Sequence, residues 1–308
     1  TMAIKLVYAC QAMQTMANSM EGTGVHIRQI NWKTFRDGYP DLIIPDVHEI
    51  RGNDVVFLAS MENPRNIFEQ LSVIYAMPRY GARSLTIVLP YFPTATKDRV
   101  DEEGEIVTAK TLARMFSATP LSMHGPARLV IFDIHALQER FYFDDTVVPH
   151  MASAIHLLKE QLALQDGPDD IAIAFPDEGA WKRFHRFFEG YPQIICHKVR
   201  QGDKRIVTIK EGDPRDCHVV IVDDLVMTGG TLDECTKVCF AAGAKKVSAF
   251  VTHAVFPQES WKHFVKDKLD NFWITDSCPD TVRAINHVHP FKLLPLADTI
   301  RRDILITS

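Results

Sequence analysis

Val219-Val220-Ile221-Val222-Asp223-Asp224-Leu225-Val226-Met227-Thr228-Gly229-Gly230-Thr231 is the stretch on which the reading of this chain turns. Four β-branched apolar residues in a row predict a strand buried on both faces, as in a parallel sheet between helices. Asp223 and Asp224 then mark its carboxyl end. The glycines that follow accept φ > 0 and let backbone N–H groups approach a ligand closely, and Leu232 to Cys239 begin a helix. A turn of bare amides at a helix N-terminus attracts an anion, so the loop is shaped for a phosphate. No Gly-Lys-Ser/Thr follows the glycines, which separates it from a nucleotide P-loop. Two carboxylates beside such a cradle suit a sugar phosphate, because the sugar hydroxyls can donate hydrogen bonds to them.

The rest of the chain agrees with an α/β protein. At 308 residues with 46% hydrophobic content it can fill one large or two medium cores. Charged residues make up 24% and the net charge is -5, with no Lys/Arg run, which argues against a nucleic-acid partner. Cys10, Cys196, Cys217, Cys235, Cys239 and Cys278 show neither Cys-x-x-Cys pairs nor dense secreted-type spacing, so free thiols in a reducing compartment are expected. Cys235 and Cys239, one helical turn apart, read as core packing. Apolar runs are too short for a bilayer span. Ile4-Lys5-Leu6 enters a strand-like run without a signal-peptide pattern, so the expected location is cytoplasmic, with a removed organellar leader as the other option.

Strands and helices alternate along the chain. Ile4 to Ala9, Val55 to Ala59, Ser84 to Leu89 and Leu129 to Phe132 read as strands; Arg65 to Arg79, disturbed near its end by Pro78, and Ile106 to Phe116 read as helices. Pro90 to Glu105 is polar, long and without a packing pattern, the mark of a functional loop. Further on, Met151 to Leu164 and Glu178 to Phe188 read as helices, and Ile171 to Phe175, Ile194 to His197, Val247 to Thr252 and Phe272 to Thr275 as strands. Phe291 to Ile304 predicts a strand and a helix. This rhythm implies parallel sheets. Two lobes are expected, 1–148 and 149–308, joined near 145–152, with the last segment able to pack back on the first lobe.

Other clusters sit where open α/β sheets bind ligands, at strand carboxyl ends. Asp133-Ile134-His135 follows one strand and can hold a divalent metal or place a phosphoryl group; the plainer reading is a structural His. Asp177, in Phe175-Pro176-Asp177-Glu178-Gly179, either meets a ligand or caps the next helix. Lys198 and Arg200 lie two apart on an extended basic segment, so both point one way, toward solvent or toward an anion. With Arg99 and His135 they could surround a triphosphate and stabilise charge as a phosphoryl group transfers.

Taken together, the sugar-phosphate loop resembles that of type I phosphoribosyltransferases and phosphoribosyl-pyrophosphate (PRPP) synthetases. Arg51-Gly52-Asn53-Asp54, Asn63-Pro64, Pro90-Tyr91-Phe92, Thr108-Ala109-Lys110, Asp133 to Ala136, Pro176-Asp177 with Lys182-Arg183, and Ala241 to Val247 follow the order seen in ribose-phosphate pyrophosphokinases over nearly the whole chain. A phosphoribosyltransferase would match the second lobe alone. The wording of Gly179 to His185 and Phe272 to Pro279 resembles the plant-type class II branch, associated with phosphate-independent activity and looser nucleotide choice.

The resemblance implies two type I phosphoribosyltransferase-like lobes, each a mainly parallel sheet flanked by helices. It implies transfer of the β,γ-diphosphoryl group of Mg-ATP to the anomeric hydroxyl of ribose 5-phosphate, giving PRPP and AMP, by a homo-oligomer without membrane or nucleic-acid partners. It places His135, Lys198 and Arg200 in catalysis. Asp223, Asp224, Thr228, Gly229, Gly230 and Thr231 fall on ribose 5-phosphate. Phe35, Asp37, Lys97, Asp98, Arg99 and His135 fall on ATP, with Phe35, Asp37 and Gly38 in a hairpin that reaches a neighbouring subunit's adenine. His135 and Asp177 fall on Mg²⁺.

Three positions depart from the family's common pattern: Met227 replaces an acid, Thr96 an arginine, and Tyr39 an acid. The alternatives to an active enzyme are a non-catalytic regulatory relative and a phosphoribosyltransferase.

Overall fold

The computed structural model describes residues 4–165, 170–201, 204–266 and 269–306, apart from the side chains of 198–206 and 304–306. The chain forms two compact units: one runs to Ala152 and takes in the segment from Leu296, and the other is Ser153–Pro295.

In the first unit come β1 (Lys5–Ala9), α1 (Gln14–Ser19), β2 (Val25–Ile27), β3 (Asn31–Thr34), β4 (Pro40–Ile43), β5 (Asp54–Leu58), α2 (Ile67–Arg79), β6 (Ser84–Val88), α3 (Thr108–Ser117), β7 (Ala127–Phe132) and β8 (Val147–Ala152). Six strands form one sheet in the order β2-β1-β5-β6-β7-β8, every pair parallel. All five residues of β1 and of β5 are buried, as their unbroken apolar runs require. Two charges go inside with them, and they are paired. Lys5 and Asp54 face each other in register, Lys5 Nζ lies 2.9 Å from Asp54 Oδ2, and Arg83 and Ser84 donate to the same carboxylate. Burial pushes the Asp54 carboxyl up, but these donors outweigh it and hold it below the usual range.

The second unit contains α4 (Ile155–Ala163), β9 (Ile171–Phe175), α5 (Glu178–Phe184), β10 (Gln193–Gln201), β11 (Lys204–Glu211), β12 (His218–Val226), α6 (Gly230–Ala241), β13 (Lys246–Ala254), β14 (Phe272–Thr275), α7 (Pro279–Ile285) and β15 (Phe291–Leu294). Its sheet runs β11-β10-β9-β12-β13-β14-β15, parallel except for the antiparallel β10–β11 hairpin. From β9 the chain moves to β10 on one side and later to β12 on the other. The boundary between β9 and β12 is therefore the topological switch point, where loops leave in opposite directions and open a crevice. The last helix, α8 (Ala297–Ile306), belongs to the first unit, where Arg128 Nη2 donates to Asp303 Oδ2 at 2.9 Å.

Three expectations change. Met151 does not start a helix: Val147–Ala152 is a strand paired in parallel with β7, and α4 begins at Ile155. The segment read as a joint is thus an edge strand, where Pro149 is tolerated and only Val147 is buried, which blurred the pattern. The helix after Asp177 ends at Phe184 and continues only as a 3-10 turn, His185–Phe188. Asp223 and Asp224 do not end their strand. β12 pairs with β9 only through Ile221 but with β13 through Val226, so the two acids lie where one neighbour has stopped.

Candidate active site

The phosphate loop is set by its backbone. Gly229 adopts φ +86 and precedes the first residue of α6, with no side chain capping the helix among the described residues. Only this glycine is left-handed; Gly230 is already helical. A Cβ at Gly229 would stand 2.5 Å from Phe264 Cε2, so the loop also needs glycine for space. The segment after β13 holds it in place: Val255 N–H donates to the Val226 carbonyl at 3.1 Å and Ser260 Oγ to the Met227 carbonyl at 3.0 Å. Thr228, Gly229 and Gly230 open on a cleft of about 920 Å³ that Lys262 and Lys266 also line. Bare helical amides and lysines together favour an anion there.

Beside the loop the second unit gathers acids. Asp177 ends the turn after β9 and caps α5, its Oδ1 accepting the Ala180 N–H at 3.0 Å, so the capping alternative is realised. The Asp223 carboxyl is raised well above its usual range, first by removal from water, then by the charges of Asp224 and Asp177. Asp224 is buried, and its N–H donates to Asp223 Oδ1 at 2.9 Å. Arg183 of α5 approaches this group, with Nη1 3.9 Å from Asp224 Oδ2. Ser260 and Phe264 were not singled out from sequence, being remote from the loop in the chain and without a pattern of their own; Arg183 was noted within Lys182-Arg183 but given no role. Lys198 and Arg200 lie on β10, opposite Val207 and Arg205 of β11, and their side chains fall outside the described residues.

The first unit carries the remaining candidates. His135 is exposed just after β7, following buried Asp133, whose φ of 36 turns the chain sharply. Pro90 to Glu105 has neither helix nor strand. Within it Lys97 pairs with Glu105 at 2.7 Å, Asp98 is mostly buried, and Arg99 is 77% exposed with Asp101 at 3.7 Å. Phe35, Asp37 and Gly38 form the tip of the β3–β4 hairpin: Gly38 has φ +90, Asp37 Oδ1 accepts the Tyr39 N–H at 3.1 Å, and Phe35 is 55% exposed. Cys235 and Cys239 are buried as expected, and Cys196 joins them with its Sγ 3.6 Å from that of Cys235; all six cysteines are free thiols.

Among the described residues no three His, Cys, Asp or Glu side chains form a ready-made metal cage. The donors at hand are hard carboxylate oxygens at strand ends beside an anion site. That suits Mg²⁺, which takes one or two carboxylates and completes its shell with phosphate and water.

Comparison with known proteins decides the family. Residues 5–119 match the family described as the N-terminal domain of ribose phosphate pyrophosphokinase, and 193–286 match the phosphoribosyl transferase domain. Ribose-phosphate pyrophosphokinase 4 of Oryza sativa subsp. japonica is 53% identical over 96% of this chain and 94% of its own length. The chain belongs to the ribose-phosphate pyrophosphokinase family. Ribose-phosphate pyrophosphokinase 3, chloroplastic, of the same plant is 52% identical over 96% of this chain and 74% of its own. High identity to plant enzymes over most of the length agrees with the plant-type class II branch. The crystal structure of phosphoribosylpyrophosphate synthetase from Mycobacterium smegmatis shares the fold, with a TM-score of 0.82 over 99% of this chain and 98% of that one at 22% identity. No described helix is long and apolar enough to cross a membrane.

Proposed function

We propose that this ribose-phosphate pyrophosphokinase transfers the β,γ-diphosphoryl group of ATP to the anomeric hydroxyl of ribose 5-phosphate, giving PRPP and AMP. The observation that carries the reading is the pairing of a backbone phosphate loop with Asp223 and Asp224 at the switch point of the second sheet. Thr228 to Thr231 bind the 5-phosphate through amides and hydroxyls, and Asp223 and Asp224 accept hydrogen bonds from the ribose hydroxyls. These contacts orient the sugar. Lys198 and Arg200 supply positive charge to the group in transfer, where charge develops. Lys97, Asp98, Arg99 and His135 contact ATP, and Phe35 with Asp37 holds the adenine across a subunit boundary in a homo-oligomer. For Mg²⁺ the first unit offers His135 and the second Asp177, and the ion when bound would neutralise phosphate charge. Free thiols fit a reducing compartment, the cytoplasm in our reading.

Phosphorus NMR of the protein with ribose 5-phosphate, ATP and Mg²⁺, with and without inorganic phosphate, tests this. PRPP and AMP appearing together in both samples are expected. Product only with phosphate would discard the phosphate-independent branch, and no product from folded protein would favour a regulatory relative. In the same assay Lys198→Ala should lower turnover at least about 100-fold while calorimetry shows unchanged ribose 5-phosphate affinity. Near-normal turnover would remove Lys198 from the mechanism.

A further inference from the structure

Arg183 has no part in the reaction as described so far, yet it sits among the acids of the ribose site. Its side chain is 13% exposed, and the guanidinium carbon lies 5.2 Å from the centroid of the Phe184 ring. Nη1 is fully buried and has no hydrogen-bond partner among the described residues. The acid it approaches is Asp224, itself buried, with Oδ2 at 3.9 Å. That distance is too long for a hydrogen bond and short enough for a strong charge interaction inside the protein.

A buried guanidinium donor is rarely left without an acceptor, and the exceptions call for a reason. The acid beside it, Asp224, belongs to a group with Asp223 and Asp177, whose mutual repulsion shows in Asp223. Arg183 is a cation that the structure places beside Asp224. A shift of about 1 Å by the Asp224 carboxylate would turn the contact into a charge-assisted bond of ordinary length. Arg183 reaches the acid from the protein interior, because Nη1 is sealed from solvent.

We propose that Arg183 is the positioning residue of the ribose site, fixing the Asp224 carboxylate so that it accepts from the sugar hydroxyls. The proposal rests on the assignment of Asp223 and Asp224 to ribose 5-phosphate. It gives a role to the arginine of Lys182-Arg183 that follows from its place in the fold: α5 packs along β12, and its last turn delivers a cation behind the second acid of the pair.

Arg183→Met, Arg183→Lys, Asp224→Asn and the Arg183→Met/Asp224→Asn double variant test it. The readouts are calorimetry with ribose 5-phosphate alone and steady-state kinetics for both substrates. Arg183→Met should raise Kd and KM for ribose 5-phosphate about 10- to 100-fold, the range for loss of a hydrogen bond to a charged group, and leave KM for ATP within about twofold. Arg183→Lys should recover at least half of that loss on a logarithmic scale. The double variant should be no worse than Asp224→Asn, because both changes remove one interaction.

Additive losses in the double variant, or equal losses for both substrates, would reduce Arg183 to a packing residue and overturn the proposal. If Arg183→Met does not fold, Arg183→Gln carries the test, and an unchanged ribose 5-phosphate affinity there with full loss in Asp224→Asn overturns it as well. Wild-type protein that fails to bind ribose 5-phosphate would overturn the ribose-site reading and the proposal with it. Wild-type binding with an unmoved Arg183→Met would overturn the role of Arg183 alone.

Discussion

The loop after β12 and the loop after β6 are built on opposite plans. The first is short, begins on a strand paired through Val226, ends on the first turn of α6, and is shaped by one left-handed glycine and by carbonyl contacts to the segment after β13. The second, Pro90 to Glu105, has no regular structure and is held by side chains. Glu105 accepts the Asp101 N–H at 2.8 Å and pairs with Lys97 at 2.7 Å, and the Tyr142 hydroxyl donates to the Asp98 carbonyl. A cradle made of backbone is insensitive to salt and intolerant of an added Cβ; a loop tied by exposed ion pairs is the reverse. The difference fits the ligands assigned to them. A terminal phosphate has one fixed shape, whereas selectivity among nucleotides is most easily tuned where side chains set the geometry.

The largest expected effect probes the backbone plan. Gly229→Ala places a Cβ against Phe264 and forces alanine into φ +86, a conformation costing about 1–2 kcal/mol before the collision is counted. Ribose 5-phosphate affinity by calorimetry should fall at least about 30-fold. Affinity within threefold of wild type would break the contrast between the two loops.

A smaller effect belongs to the side-chain plan. Glu105→Gln removes the partner of Lys97 and should change KM for ATP less than about fivefold, as for exposed ion pairs, and high salt should erase the difference between variant and wild type. A change as large as that of Gly229→Ala would show that the loop is as rigid as the phosphate cradle. Acid sharpens the same point. Glu105 is held down to about 2, first by Lys97 and then by the Asp101 and Glu102 N–H groups, from an ordinary 4.5. The depressed value means that its contribution to loop order is fully present above pH 4.5 and is lost as pH falls toward 2. Relative to the intrinsic exchange rate at each pH, protection of the Asp101 and Glu102 amides should fall through that window in wild type and stay flat in Glu105→Gln. Equal profiles would take Glu105 out of the loop's support.

Elements with unbroken apolar runs were legible along the chain. β9 and β14 matched residue for residue, and β1, β5, β6, β7 and β13 came within two residues at either end, because strands buried on both faces leave no solvated position to confuse the pattern. β8 was lost for the opposite reason: it is an edge strand with only Val147 buried, and it carries Pro149. The phosphate loop was legible because amides, glycines and a helix start are all local. Its supports were not. Phe264 and Ser260 reach the loop from beyond β13, and no local rule links them to Gly229 or Met227.

The amino-acid sequence by itself determined the alternating α/β build, the phosphate loop with its two acids, and the family whose motifs run in order through the chain. These are local patterns, read within a strand, a turn or a helix start. Only the tertiary structure decided that β9 and β12 are neighbours, that the acids lie at their switch point, and that Arg183 stands behind Asp224. Strand order and side-chain meetings depend on which distant segments pair, and that is set by the burial of whole faces against one another rather than by any residue's near neighbours.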